Sequence, residues 1–143
     1  EEAEKVFDIN VRGTFNCCKE ALPSMIREKQ GKIVNISSMW GICGASCEVH
    51  YSASKAAVIG FTKALAKEVG PSDVNVNCVC PGVIDTKMNA HLSEADMNAL
   101  KEEIPLMRIG APRDVAETVY FLCSDKADYI TGQVISVDGG MII

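Results

Sequence analysis

Tyr51 and Lys55 stand four residues apart in Tyr51-Ser52-Ala53-Ser54-Lys55. Residues at that spacing share one face of a helix and meet there. The lysine ammonium is thereby set beside the phenol. A cation there would favour the phenolate, which makes the tyrosine a candidate proton donor. Upstream, Ile33-Val34-Asn35-Ile36 reads as a buried strand ending in the hydroxyls of Ser37 and Ser38. An isolated Tyr-x-x-x-Lys is a common accident. A strand end that carries hydroxyls, followed by such a helix, is more specific.

Other residues with metal or redox chemistry form no comparable pattern. Seven cysteines are an odd number, so they cannot all pair in disulfides. They sit among strand and helix residues, which fits a reducing cytoplasm rather than a secreted scaffold. Cys43/Cys47 and Cys78/Cys80 lack the paired C-x₂-C spacing of a zinc site, and His50 and His91 lack supporting spacing. Small buried thiols are the better reading, and no metal is expected.

The elements that must position Ser38, Tyr51 and Lys55 follow from periodicity. Residues 2–29 read as one long helix, with Gly13 and Pro23 inside it and Gly31 as its stop. Residues 32–37 form a Val/Ile-rich strand. Residues 39–49 form a Gly-containing loop, and residues 50–69 a second long helix that Gly70-Pro71 ends. Val74–Val79 is a strand leading into Cys80-Pro81-Gly82. Residues 83–104 are polar, with a helix near 93–103 opened by Ser93. Pro112 opens a helix to about Cys123, and Val134–Val137 is the last strand. Alternation of helices with buried strands predicts α/β architecture: a doubly wound, Rossmann-like parallel sheet covered by helices on both faces. About three strands are legible, and no Gly-rich phosphate-binding turn occurs. The chain opens within a helix that has no N-cap. The expectation is that residues 1–143 are the carboxy-terminal half of one such domain, without the amino-terminal cofactor-binding half.

With 48% hydrophobic residues, the chain can bury a core. Its net charge of −5 and lack of a basic cluster argue against nucleic acid as a partner. No apolar run approaches the roughly 18 residues that cross a membrane. There is no signal-peptide pattern at the start.

Residue by residue, the chain resembles the short-chain dehydrogenase/reductase family over almost its whole length. Asn10, in Asn10-Val11-Arg12-Gly13, resembles the asparagine that helps hold a water in the family's proton relay. Ser38 matches the serine that hydrogen-bonds the substrate oxygen, and Tyr51 the acid/base. Lys55 matches the lysine that assists the tyrosine and binds the nicotinamide ribose. Pro81-Gly82-Val83-Ile84-Asp85-Thr86 resembles the cofactor loop, with Val83 and Ile84 near the carboxamide and Thr86 near the phosphates. Tyr129–Val134 and Val137–Gly140 match as structure. The resemblance implies hydride transfer from a reduced nicotinamide to a ketone. Ser38 and Tyr51 would stabilise the developing oxyanion, and Tyr51 would deliver the proton.

Gly60–Glu68, Pro81–Thr86 and Gly139-Gly140-Met141 are most similar to the bacterial 3-oxoacyl-[acyl-carrier-protein] reductases. That implies NADP(H) as the cofactor, with NAD(H) as the alternative, and a ketone held on a carrier protein. It also implies a homotetramer built by pairing the helices that match 2–29 and 50–69. Lys29 is a candidate for carrier docking. The loop Trp40–Val49 is more similar to reductases that act on a 5-aminopentanone group on elongation factor P, and acidic Glu48 suits a basic substrate. Trp40, Met88, Leu92, Met97 and Met107 are candidates for an apolar substrate wall or lid. A third expectation is a non-catalytic half-domain that only self-associates.

Overall fold

Val74–Pro81 forms the central strand, β2, of a three-stranded parallel sheet. The computed structural model describes residues 2–89 and 92–143. Alternation along β2 divides its side chains between two layers. Val74, Val76, Cys78 and Cys80 face one side and are nearly or fully buried. Val79 faces the other side and packs with Leu122 and Ala127. Asn75 and Asn77 sit among these apolar positions because a turn needs them. Their amides donate to the carbonyls of Asp128 and Ile130, and Gln133 N–H donates to Asn77 Oδ1 at 3.0 Å. Those bonds satisfy the backbone that leads into the last strand.

β1 (Gly31–Ile36) and β3 (Val134–Val137) flank β2, in the order β1-β2-β3. Ile36 pairs with Val79, and Pro81 with Val137. β1 lies one residue earlier than expected. β2 runs two residues further, because Cys80 and Pro81 pair with Ser136 and Val137. Bonds to β2 continue past β1: Ser37 N–H donates to Val79 O at 2.8 Å, and Met39 N–H to Pro81 O at 3.0 Å.

Residues 2–28 are not the single regular helix that periodicity predicts. α1 (Glu2–Phe7) passes through a one-turn π segment (Asp8–Arg12) into α2 (Gly13–Glu28). The wider turn displaces the helical hydrogen-bond pattern around Asn10, and Thr14 Oγ1 donates to the Asn10 carbonyl at 2.7 Å. Part of the expected loop at 39–49 is a short helix, α3 (Trp40–Cys43). α4 (Val49–Val69) lies beside α2 on one face of the sheet. Cys18 of α2 and Leu65, Ala66 and Val69 of α4 close over Val74 and Val76. α5 (Glu94–Glu103) begins at the expected Ser93, whose hydroxyl accepts from Asp96 N–H in a capping box. α6 (Pro112–Leu122) covers the opposite face. Helices therefore cover both faces of the sheet, as expected for a Rossmann-like α/β fold.

The start of α6 is fixed by charge. Arg108 donates to both Asp114 carboxylate oxygens, at 2.7 and 2.9 Å, and Ala111 N–H adds a third bond at 2.7 Å. Arg108 first, and then the Ala111 N–H, hold the Asp114 carboxyl down to about 2 from its usual 3.8. A carboxylate lowered in the fold stabilises it above the unfolded value, and that contribution is lost as pH falls through the folded value. Asp114→Asn is expected to lower the thermal midpoint at pH 7. The deficit against the parent should shrink between pH 3.8 and about 2. A deficit that ignores pH over that window would show that the charge contributes nothing.

Candidate active site

Ser37 and Ser38 leave the carboxyl end of β1, where open α/β sheets bind their ligands. The two hydroxyls act differently. Ser37 Oγ donates to the Lys55 carbonyl at 2.8 Å, pinning the strand end to α4. Ser38 Oγ accepts from Trp40 N–H at 3.2 Å. Accepting that bond leaves the Ser38 proton available for donation. Gly41 allows the close approach of α3 to α4. A Cβ there would lie 2.7 Å from Ser37 Oγ and 2.8 Å from the Lys55 carbonyl carbon.

Lys55 Nζ lies 5.7 Å from the centroid of the Tyr51 ring, as the four-residue spacing predicts. It donates to the Ile36 carbonyl at 3.1 Å. An ammonium has three N–H groups, so two remain for a ligand. Burial lowers the Lys55 pKa, opposed by Cys78 and Cys80 beneath it. Those thiols form a pair. The bond to Cys80, with burial, pushes Cys78 up. Cys80 is pulled down, first by the Cys78 bond, with help from Ser37, the Ser38 backbone and Lys55.

Two cavities, each of about 400 Å³, meet at Ser38 and Tyr51. One also contains Lys55 with Pro81, Gly82, Ile84 and Thr86. The other contains Trp40, Glu48, Val83, Met88, Leu92 and Leu100. The fold thus brings together eight of the nine expected site residues around one junction. Asn10 stands apart: its Nδ2 donates to Ser54 Oγ at 3.0 Å, and it lines neither cavity. Among the expected lid residues, Met88 and Leu92 line the second cavity. Met97 and Met107 do not: α5 reaches that wall through Leu100, and Met107 stands in the turn after α5. His50 is exposed on the first turn of α4 and lines neither cavity.

Three residues outside the expected catalytic and binding set hold the site, Ser37 among them in the structural role expected of it. Ser37 reaches Lys55, Ser54 reaches Asn10, and Asn89 Nδ2 donates to Ile84 O at 2.7 Å. Ser54 did have a signal. It begins the buried stripe Ser54, Val58, Thr62, Leu65, Val69 of α4, where a hydroxyl needs a partner. The seven cysteines are free thiols. Among the described residues, no three His, Cys, Asp or Glu side chains come together as a metal site, and His91 lies outside those residues. Among the same residues, no helix is long and apolar enough to cross a membrane.

A serine, a tyrosine and a lysine gathered at the carboxyl ends of parallel strands define the class. The family model described as enoyl-(acyl carrier protein) reductase matches residues 1–142, and the chain belongs to the short-chain dehydrogenase/reductase family. Among its relatives is the 3-oxoacyl-[acyl-carrier-protein] reductase FabG of Aquifex aeolicus, 52% identical over 138 residues. The match covers 96% of this chain and 56% of that protein. An uncharacterized oxidoreductase, YmfI, of Bacillus subtilis is 44% identical over 96% of this chain and 57% of its own length. The crystal structure of a 3-oxoacyl-[acyl-carrier protein] reductase from Brucella melitensis superposes with a TM-score of 0.92 at 39% identity. That match covers 97% of this chain and 52% of the other. The chain therefore spans little more than half the length of these relatives.

The close approach at Gly41 gives a direct test. Gly41→Ala gains helix propensity but forces its methyl against backbone, and it is expected to destabilise by about 1–3 kcal/mol. Gly60→Ala in α4 meets nothing within 4 Å and should stabilise by up to about 1 kcal/mol. Chemical denaturation measures both. Equal effects at the two sites would mean that α3 does not need its approach to Lys55.

Proposed function

We propose that this chain is the carboxy-terminal catalytic half, residues 1–143, of an NAD(P)H-dependent ketoreductase. The reaction is reduction of a 3-oxoacyl thioester to the 3-hydroxyacyl form, on a carrier protein, in the cytoplasm. The observation that carries this reading is the meeting of two cavities at Ser38 and Tyr51, with the Lys55 ammonium 5.7 Å from the tyrosine ring. NADP(H) is the proposed cofactor and NAD(H) the alternative. The residues fit such a group: Lys55 keeps two donors for paired ribose hydroxyls, and Ile84 and Thr86 stand on the same wall. The reduced nicotinamide, when bound, supplies a hydride to the carbonyl carbon.

The chain's own residues handle charge and proton. Ser38 O–H and Tyr51 O–H donate to the oxygen as negative charge develops on it. Tyr51 then gives its proton to that oxygen, and the nearby Lys55 charge stabilises the phenolate until solvent returns a proton. Asn10 is proposed to help hold a water through which, with Lys55, Tyr51 regains its proton. Self-association through α1–α2 and α4 is supported by Phe7, Ile9 and Phe15, which are exposed on that side. No Gly-rich turn is present to seat the cofactor phosphates, so the 143-residue chain alone is proposed to be inactive.

A second reading is favoured by Glu48. Glu48 lines the cavity that also holds Trp40. An anionic rim suits a substrate with a cationic end, such as the 5-aminopentanone group on elongation factor P. Glu48→Gln separates the readings in the complete protein. It should leave KM for a 3-oxoacyl thioester unchanged or lower, and raise it several-fold for an amino ketone.

The principal test is Tyr51→Phe in the complete protein. It is expected to lower kcat about 10²- to 10⁴-fold, the usual worth of a general acid, without loss of fold. Unchanged turnover would remove Tyr51 from the chemistry. Titration of the 143-residue chain with NADPH, followed by cofactor fluorescence, should show no saturation. Saturable binding with ketone turnover would overturn the proposal that the chain alone is inactive.

A further inference from the structure

Asn10 and Tyr51 belong to different helices, and one hydroxyl joins them. Ser54 is 0% exposed. Its Oγ accepts from Asn10 Nδ2 at 3.0 Å and donates to the Tyr51 carbonyl at 2.8 Å. A serine hydroxyl has one proton, and that proton goes to Tyr51. The path therefore has one direction: Asn10 amide to Ser54 hydroxyl to Tyr51 carbonyl.

Local geometry on the Asn10 side is built for this bond. Asn10 lies within the π segment Asp8–Arg12, the only irregular turn in residues 2–28. Thr14 Oγ1 ties down the Asn10 carbonyl at 2.7 Å. The residue is thus fixed at its backbone and at its side chain. On the other side, Tyr51 stands in the first turn of α4, where a helix has fewest bonds of its own to hold it.

The geometry points to Ser54 as a positioning residue that, together with the π turn at Asn10, sets the placement of Tyr51 against Ser38. This inference rests on the ketoreductase reading. Without the clasp, α4 keeps its ties to the end of β1 at Lys55, but the first turn that carries Tyr51 loses its tie to the π segment. Misplacement of a reacting group by about 1 Å can cost 10²-fold in rate.

The experiment is a double-mutant cycle in the complete protein, read by kcat, cofactor KM and the ¹³Cζ resonance of Tyr51. Ser54→Ala and Asn10→Ala should each lower kcat about 10- to 10²-fold. Cofactor KM should change less than about threefold, and the double variant should be no slower than the slower single one. Asn10→Asp keeps size and shape but offers Ser54 an acceptor, diverting its only proton from Tyr51. It should lose rate as Asn10→Ala does, which keeps the test valid if Ser54→Ala fails to fold. The Tyr51 resonance should shift or broaden in each variant. Multiplicative losses in the double variant would overturn the clasp, as would a lowered melting temperature with unchanged kcat. If the parent protein reduces no ketone, the functional reading fails, and the resonance alone decides: moved in Asn10→Asp, the clasp stands; unmoved, it falls.

Discussion

The register of β1 against β2 is the constraint on which the site depends. Ile36 pairs with Val79, and the ladder continues through Ser37 N–H and Met39 N–H after β1 has ended. Side chains alternate along a strand, so a slip of one residue would exchange Ser37 and Ser38 between faces. In the observed register, Ser37 Oγ bonds the Lys55 carbonyl and lines one cavity, while Ser38 lines both. One hydroxyl fixes α4 to the strand end, and its neighbour stands where the two cavities meet.

Around that register, polar groups in the core are joined in short paths. Asn35 donates to Thr62, Thr62 to the Val58 carbonyl, and Cys18 to Asn35, so a buried thread links α2, β1 and α4. Ser54 with Asn10 makes a second link, between α4 and the π segment that leads into α2, nearer the site. Buried polar groups that are fully partnered restrict how helices slide over a sheet, because each displacement leaves a donor or acceptor without its bond. Apolar contacts such as Val58 with Cys78 and Cys80 supply cohesion but tolerate small shifts. Lys55 sits over this packing with its charge partly desolvated and its head tied to the Ile36 carbonyl.

Much of the fold was legible because its signals are local. Alternation in Val74–Val79, the Ser93 cap and Pro112 at a helix start each act within a few residues. The π turn at Asp8–Arg12 was not legible, since the apolar stripe there fits an ordinary helix and the irregular turn is tied to a bond with distant Ser54. The helix at Trp40–Cys43 was hidden by its glycine. That glycine permits contact with α4 rather than marking a loop. Met97 and Met107 had the composition of a lid, but side-chain type says nothing about which wall a residue reaches.

By itself, the sequence determined the chemical groups and their near neighbours. Tyr51 beside Lys55 follows from helical spacing, and the hydroxyls of Ser37 and Ser38 follow from the end of a strand. Only tertiary structure decided which serine lines both cavities and which holds the helix. It also gave the Asn10 amide to Ser54 and placed Glu48 and Trp40 on the wall of one cavity. The physical reason is range. Spacing along a helix or strand is set by the local backbone, whereas a bond across 44 residues, from Asn10 to Ser54, exists only after sheet and helices have packed.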